Sequence, residues 1–158
     1  MSDSSVGQVA TGVVAKGKGL LAADESNARC EKRFVSVGIE CTPDTRLEYR
    51  ELLLTTPKAS DYMSGVILYD ETFWQSTNEQ AIPQYLKTNG IIAGIKVDKG
   101  LIDFPGFENE KLTQGLDGLP EQMAKYHEAG GEFAKWRAVI TIGENTPTEE
   151  NIKANAFV

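Results

Sequence analysis

Three cations and one carboxylate stand in stretches otherwise apolar enough to be buried strands. Lys96 lies in IIAGIKVD (91–98), Lys135 and Arg137 lie in FAKWRAVI (133–140), and Asp24 closes GLLAAD (19–24). Side chains alternate across a strand, so Lys135 and Arg137 share one face, as do Gly94, Lys96 and Asp98, and Leu20, Ala22 and Asp24. Two cations about 7 Å apart on one pleat face repel by roughly 2 kcal/mol at an effective dielectric of ~20. Such a pair asks for an anion, and Asp24 neutralises only one of the three cations. A site holding Lys96, Lys135 and Arg137 is therefore suited to a dianionic phosphate or a phosphorylated sugar. Any one of these residues also fits a structural salt-bridge network without chemistry. It is the surplus of positive charge across the set that points to a ligand.

The elements that must position these groups follow from the spacing of the apolar residues. MSGVILYD (63–70) completes a set of four apolar runs of strand length, each bounded by glycine or charge. Helical spacing fills the intervals at 44–54, where Leu47, Tyr49, Leu52, Leu53 and Leu54 are the apolar residues expected to face the core, at 81–88, and at 119–129. Thr42-Pro43-Asp44 supplies an N-cap with proline at the first helical position, and Asp117 or Gly118 before Leu119-Pro120-Glu121 reads the same way. Asn89-Gly90 and Gly130-Gly131 are helix stops. Strand and helix in alternation, with each strand a nearly continuous apolar run, predict an α/β fold of parallel strands covered by helices. A (β/α) barrel and an open doubly wound sheet both satisfy the pattern. In either, the charges cluster near the C-terminal ends of the strands, the edge where ligands bind. Thr146, with Pro147 and Glu149 behind it, predicts a cap for a last helix that runs to Val158, so the chain is expected to be part of a longer one.

Composition narrows the function classes. The 158 residues are 41% hydrophobic and 25% charged, the balance of an ordinary globular domain, and 1–158 reads as one unit without repeats or low-complexity segments. With 23 acidic against 16 basic side chains the net charge is −7, which argues against nucleic acid and anionic membranes as partners. One histidine, His127, makes a histidine-built metal site improbable, and no run nears the ~18 apolar residues of a membrane span. Cys30 and Cys41, without a signal segment or a C-x-x-C spacing, fit a reducing compartment and read as packing residues.

Lesser candidates divide between structure and chemistry. Gly17-Lys18-Gly19 precedes a strand and lacks the phosphate-loop spacing, so it reads as a turn. Ser26-Asn27 open the segment after Asp24, where a hydroxyl can cap a helix or meet a phosphate. Asp24-Glu25 and Asp70-Glu71 fit helix caps as well as catalytic carboxylates. His127, between charged neighbours on a helix, reads as a solvated surface residue.

The strands also carry recognisable words: KGLLAADES (18–26), TRLEYRELLLTTP (45–57), GVILYDET (65–72), GIKVDKG (94–100), QGLDGL (114–119) and FAKWR (133–137). In this order they closely resemble the class I fructose-bisphosphate aldolases, from about Val6 to Pro147. The resemblance implies a (β/α)8 barrel, of which this chain covers about the first four βα units as a single partial domain, 1–158. It implies reversible cleavage of fructose 1,6-bisphosphate to dihydroxyacetone phosphate and glyceraldehyde 3-phosphate through a lysine Schiff base, with no metal and no cofactor. Carried over residue by residue, Asp24 matches the acid–base carboxylate and Lys135 the lysine that steers proton transfer. Arg137 matches a substrate-binding arginine, Lys96 and Ser26 residues that hold the distal phosphate, and Arg33 a basic residue lining the cleft. Arg29 departs from the pattern, since the family has a small hydroxyl residue there.

A barrel of this kind needs ~250 residues, and four strands make half of one. The family's Schiff-base lysine lies on a later strand, so it is expected to be absent from this chain, and the chain alone is expected to be inactive. The alternative is a catalytically inactive half-barrel serving as a phosphate-binding or assembly module. The resemblance further implies a homotetramer for the full-length enzyme. Met1–Val6 (MSDSSV) is too short and too acidic for a transit peptide, favouring the cytoplasm over a plastid.

Overall fold

Short aliphatic runs bounded by glycine and charge become strands, and the amphipathic stretches between them become helices. In the computed structural model, which describes residues 6–158, the chain passes through α1 (Val6–Val13), β1 (Gly19–Ala23), α2 (Asn27–Val35), α3 (Pro43–Leu54), α4 (Ala59–Tyr62) and β2 (Met63–Leu68). It continues through α5 (Asp70–Phe73), the small hairpin β3 (Ser76–Thr77) and β4 (Gln80–Ala81), α6 (Ile82–Thr88) and β5 (Ile92–Lys96). The remainder is β6 (Leu101–Asp103), β7 (Lys111–Thr113), α7 (Leu119–Glu128), β8 (Phe133–Lys135) and α8 (Glu149–Phe157). Two units result: the described residues through Lys96 with Lys125–Ala134, and Val97–Ala124 with Lys135–Val158. Among the described residues no helix is long and apolar enough to cross a membrane.

The first unit is built on a four-stranded sheet in the order β1-β2-β5-β8. β1 runs parallel to β2, and β2 parallel to β5, with Ala23 beside Leu68 and Leu68 beside Ile95. Ala23, Leu68 and Ile95 are fully buried, as are Leu54 of α3, Phe73 of α5 and Leu86 of α6. Each large apolar side chain removed from water in this way contributes about 1.5–3 kcal/mol. The parallel sheet with helices between its strands is the α/β arrangement expected of a partial barrel. The opposite face carries the row Ala22, Ile67 and Gly94. Phe133 packs on Gly94 so closely that a Cβ at position 94 would lie 2.1–2.5 Å from the ring carbons. Gly90, at φ 71°, ends α6, and Ile91 N–H donates back to the Leu86 carbonyl at 2.9 Å, which is the geometry a glycine stop permits.

In the second unit β6 and β7 pair antiparallel, Ile102 beside Leu112. Glu110 is fully buried and accepts from the Thr148 backbone N–H at 2.8 Å and from the Thr148 hydroxyl at 2.6 Å. A carboxylate at the start of α8 complements the positive end of the helix dipole. Asn151, also buried, donates through Nδ2 to the Lys111 carbonyl at 3.0 Å and so ties α8 to β7.

Three expectations need correction. The fourth strand stops at Lys135 instead of running to Ile140, so Lys135 and Arg137 do not share a pleat face. The Arg137 carbonyl, which a longer ladder would use, accepts instead from the Thr113 hydroxyl at 2.6 Å. The last helix is capped by Thr148, whose Oγ1 accepts from Asn151 N–H at 3.2 Å; the Thr146 carbonyl is occupied by Gly143 N–H. On α3 the cap is as expected, with Thr42 and Thr45 exchanging side-chain and backbone hydrogen bonds, but the buried face is different. Leu52 is 71% exposed while Arg50 is buried beside Leu54.

Candidate active site

The register of the sheet sets the first part of the site. Ala23, Leu68 and Ile95 form the last paired row across β1, β2 and β5. Asp24 directly follows the end of β1 and Lys96 is the last residue of β5, so each comes one residue beyond that row at the C-terminal edge of the sheet. Alternation places both on the face of Ala22 and Gly94, opposite the buried row. Both are half-buried. A carboxylate and an ammonium therefore follow the same side of one sheet edge.

Ser26 takes the N-cap position of α2 in extended backbone conformation, but its side chain makes no capping hydrogen bond. It does not cap α2, although it stands at the helix N-terminus, where an anion is favoured. Its neighbour Glu25 is neither a cap nor a catalytic group left open to substrate. The Glu25 carboxylate accepts from the Arg50 guanidinium and from the Tyr49 hydroxyl at 3.3 Å, and pairs with the charge of Arg33, whose Nη2 lies 3.2 Å away. Burial opposes the Glu25 charge, but the Arg50 hydrogen bond and charge, with help from Arg33, outweigh it and hold the carboxyl below its ordinary pKa. Burial and the Glu25 charge together push the Tyr49 hydroxyl up.

Glu71, after Asp70 at the end of β2, is held in the same manner. Arg46 donates from Nε to Oε2 at 2.7 Å and from Nη2 to Oε1 at 2.6 Å, and Asn27 adds a hydrogen bond at 3.3 Å. This bidentate pair keeps the Glu71 carboxyl below its ordinary range in spite of burial. Asp70 in turn accepts from the Tyr126 hydroxyl at 2.7 Å and the Trp74 indole at 3.0 Å through one oxygen.

Arg46 and Arg50, which sequence reasoning missed as a pair, therefore brace α5 after β2 and the loop after β1. They lie one helical turn apart on α3, each donating to a glutamate that directly follows an aspartate. The signal was present in the i, i+4 spacing of two arginines in line with Leu54, a face that would otherwise read as apolar.

Arg33 reaches Glu25 while its side chain stays 63% exposed. In the second unit, Lys135 is the last residue of β8, with its carbonyl accepting from Val97 N–H at 3.2 Å, and Arg137 is exposed in the irregular segment that follows. His127 is exposed on α7.

The family model described as "Fructose-bisphosphate aldolase class-I" matches residues 5–158, with Asp24, Lys96 and Lys135 all inside the matched span. The chain belongs to the class I fructose-bisphosphate aldolase family. A probable fructose-bisphosphate aldolase class 1 of Xanthomonas campestris is 51% identical over 99% of this aldolase chain and 47% of its own length. The fructose-bisphosphate aldolase of Drosophila melanogaster is 48% identical over 96% of the chain and 42% of its own length. Among solved structures, fructose-bisphosphate aldolase from Plasmodium falciparum, determined in complex with TRAP and a small-molecule inhibitor, superposes with a TM-score of 0.87 at 43% identity, over 92% of this chain and 43% of that one. The aldolase chain thus spans about half the length of the relatives it matches, and its four parallel strands belong to the barrel fold of that family.

Proposed function

We propose that these residues supply the acid–base and phosphate-holding half of a Schiff-base aldolase, which cleaves fructose 1,6-bisphosphate reversibly to dihydroxyacetone phosphate and glyceraldehyde 3-phosphate. The observation that carries the reading is that Asp24 and Lys96 each come one residue beyond the paired row Ala23, Leu68 and Ile95, at the C-terminal edge of the sheet, in a chain of this family. Asp24 moves protons to and from the reacting hydroxyls, and Lys135 steers the proton transfer that converts carbinolamine to imine. Lys96 and the Ser26 hydroxyl hold the distal phosphate, Arg137 binds substrate, and Arg33 adds positive charge at the cleft. The imine-forming lysine belongs to a later strand of the family's barrel, so the 158-residue chain has no aldolase activity by itself. The full enzyme works without metal or cofactor in the cytoplasm and assembles as a homotetramer.

Kinetics on the full-length enzyme carrying these residues test the roles. Asp24→Asn lowers turnover by ~100-fold or more, the low end for a positioned acid–base group, while bisphosphate binding changes little. Lys96→Ala has the reverse emphasis, with weakened binding as the leading effect. Near-normal turnover in Asp24→Asn would return Asp24 to the structural network.

A further inference from the structure

Cys30 and Cys41 are the two cysteines of the chain, and the aldolase chemistry uses neither. Both are free thiols. Cys30 is buried in α2 at 1% exposure, with its Sγ 3.9 Å from the Glu25 carbonyl oxygen. Cys41, half-buried just before the Thr42 cap, has its Sγ 4.0 Å from the Asn27 carbonyl oxygen. The two carbonyls sit two residues apart at the start of α2. From the other side, Arg46 Nη1 lies 3.4 Å from Cys41 Sγ and Arg50 Nη2 lies 3.5 Å from Cys30 Sγ. Side chains at i and i+4 of a helix have Cβ atoms about 5–6 Å apart, so two adjacent arginines of α3 each hold one sulfur against the same turn of α2. Burial pushes the Cys30 thiol up, against the opposing charge of Arg50.

We propose that Cys30 and Cys41 form a two-thiol redox site, in which Cys41 is oxidised by a hydroperoxide and Cys30 resolves it to a disulfide. Accessibility sets the order, since Cys41 is the half-buried sulfur and Cys30 the enclosed one. The Cys41 thiolate attacks the terminal peroxide oxygen; the S–O bond forms, the O–O bond breaks, and the alcohol or water leaves with a proton. Cys30 sulfur then attacks the Cys41 sulfenic acid; the S–S bond forms, the S–O bond breaks, and water leaves. Two thiols give up two electrons and two protons, the peroxide takes them, and a dithiol reductant restores both sulfurs. The bridge would also remove the Cys30 S–H that faces the Glu25 carbonyl, coupling the β1–α2 loop to redox state.

The test uses the reduced full chain exposed to stoichiometric hydrogen peroxide, then alkylated and digested with trypsin without reduction. Cleavage after Arg29, Lys32, Arg33 and Arg46 separates the cysteines, so the expected product is peptide 30–32 disulfide-linked to peptide 34–46. Alkylatable thiols fall from two to none in monomeric protein, and dithiothreitol returns both. Cys30→Ser is expected to leave a dimedone-reactive sulfenic acid at Cys41. Linkage found only between chains, or Cys41 carried on to sulfinate with Cys30 still alkylatable, would overturn the proposal. A sulfenic acid forming as readily on Cys30 in Cys41→Ser would overturn the assigned order.

Discussion

Arg50 donates through Nη1 to the carboxylate of Glu25 and through Nη2, at 2.8 Å, to the carbonyl oxygen of the same residue. One buried guanidinium thereby fixes both the side chain and the main chain of the residue between Asp24 and Ser26. Arg46, one turn earlier, holds Glu71 bidentately after β2. α3 thus acts as a strut against the loop after β1 and against α5 after β2, at the edge of the sheet that carries Asp24 and Lys96. The strut is ionic instead of apolar, and its strength depends on both partners remaining charged.

Removing one partner of the inner pair is expected to be costly. The Arg50 side chain is 2% exposed and that of Glu25 16%, so Glu25→Gln strands a buried cation and should lower stability by about 3–5 kcal/mol. Arg33 meets the same carboxylate from a side chain that is 63% exposed, and Arg33→Ala should cost only about 0–1 kcal/mol. Urea unfolding of the two variants checks the contrast. Equal losses would mean that burial of Arg50 is not what makes the pair important.

Acid should find the same pairs. Glu25 and Glu71 both have folded-state pKa values below their ordinary ones. Each therefore contributes stability that is complete above the unfolded glutamate pKa of about 4.3 and is lost as pH falls through the lower folded value. Stability measured from pH 7 downward should hold until about pH 5 and then decline, and Glu71→Gln should flatten part of that decline. An unchanged acid limb in the variant would contradict the assignment of Glu71.

The contact between Gly94 and Phe133 makes a packing prediction. A methyl group at position 94 would sit inside the Phe133 ring, so Gly94→Ala should destabilise by about 1–3 kcal/mol through overpacking. Phe133→Leu in the same chain should recover part of that loss, giving a measurable coupling between the two positions. Thermal melts of the two single variants and the double variant supply the cycle, and strict additivity would show that the ring moves aside freely.

How far the sequence carried the fold depended on whether the forces were local. β2 and β5 were legible because Val66–Leu68 and Ile91–Ala93 are short aliphatic runs, and the cap of α3 because Thr42 and Pro43 act within one turn. β8 was over-extended because apolar residues continue to Ile140, while the ladder ends where the Arg137 carbonyl turns to Thr113, a partner 24 residues back in the chain. The face of α3 was misread for the same reason. Arg50 is buried only because Glu25, 25 residues earlier, neutralises it, and no local pattern records that pairing. In the site, alternation grouped Asp24 with Ala22 and Lys96 with Gly94 within their own strands, but bringing the two strands to one sheet edge needed the register through Leu68.

We propose that Lys96 and Lys135 hold phosphate and steer protons, and that no lysine among these 158 residues forms the imine. Borohydride reduction of the purified chain with dihydroxyacetone phosphate tests it directly, because an imine between a lysine and the ketone becomes a permanent secondary amine. Mass spectrometry of the digested protein, with a full-length class I aldolase as the positive control, is expected to find no site-specific lysine adduct in this chain. A stoichiometric adduct on a single lysine, at Lys96, Lys135 or elsewhere, would contradict the account.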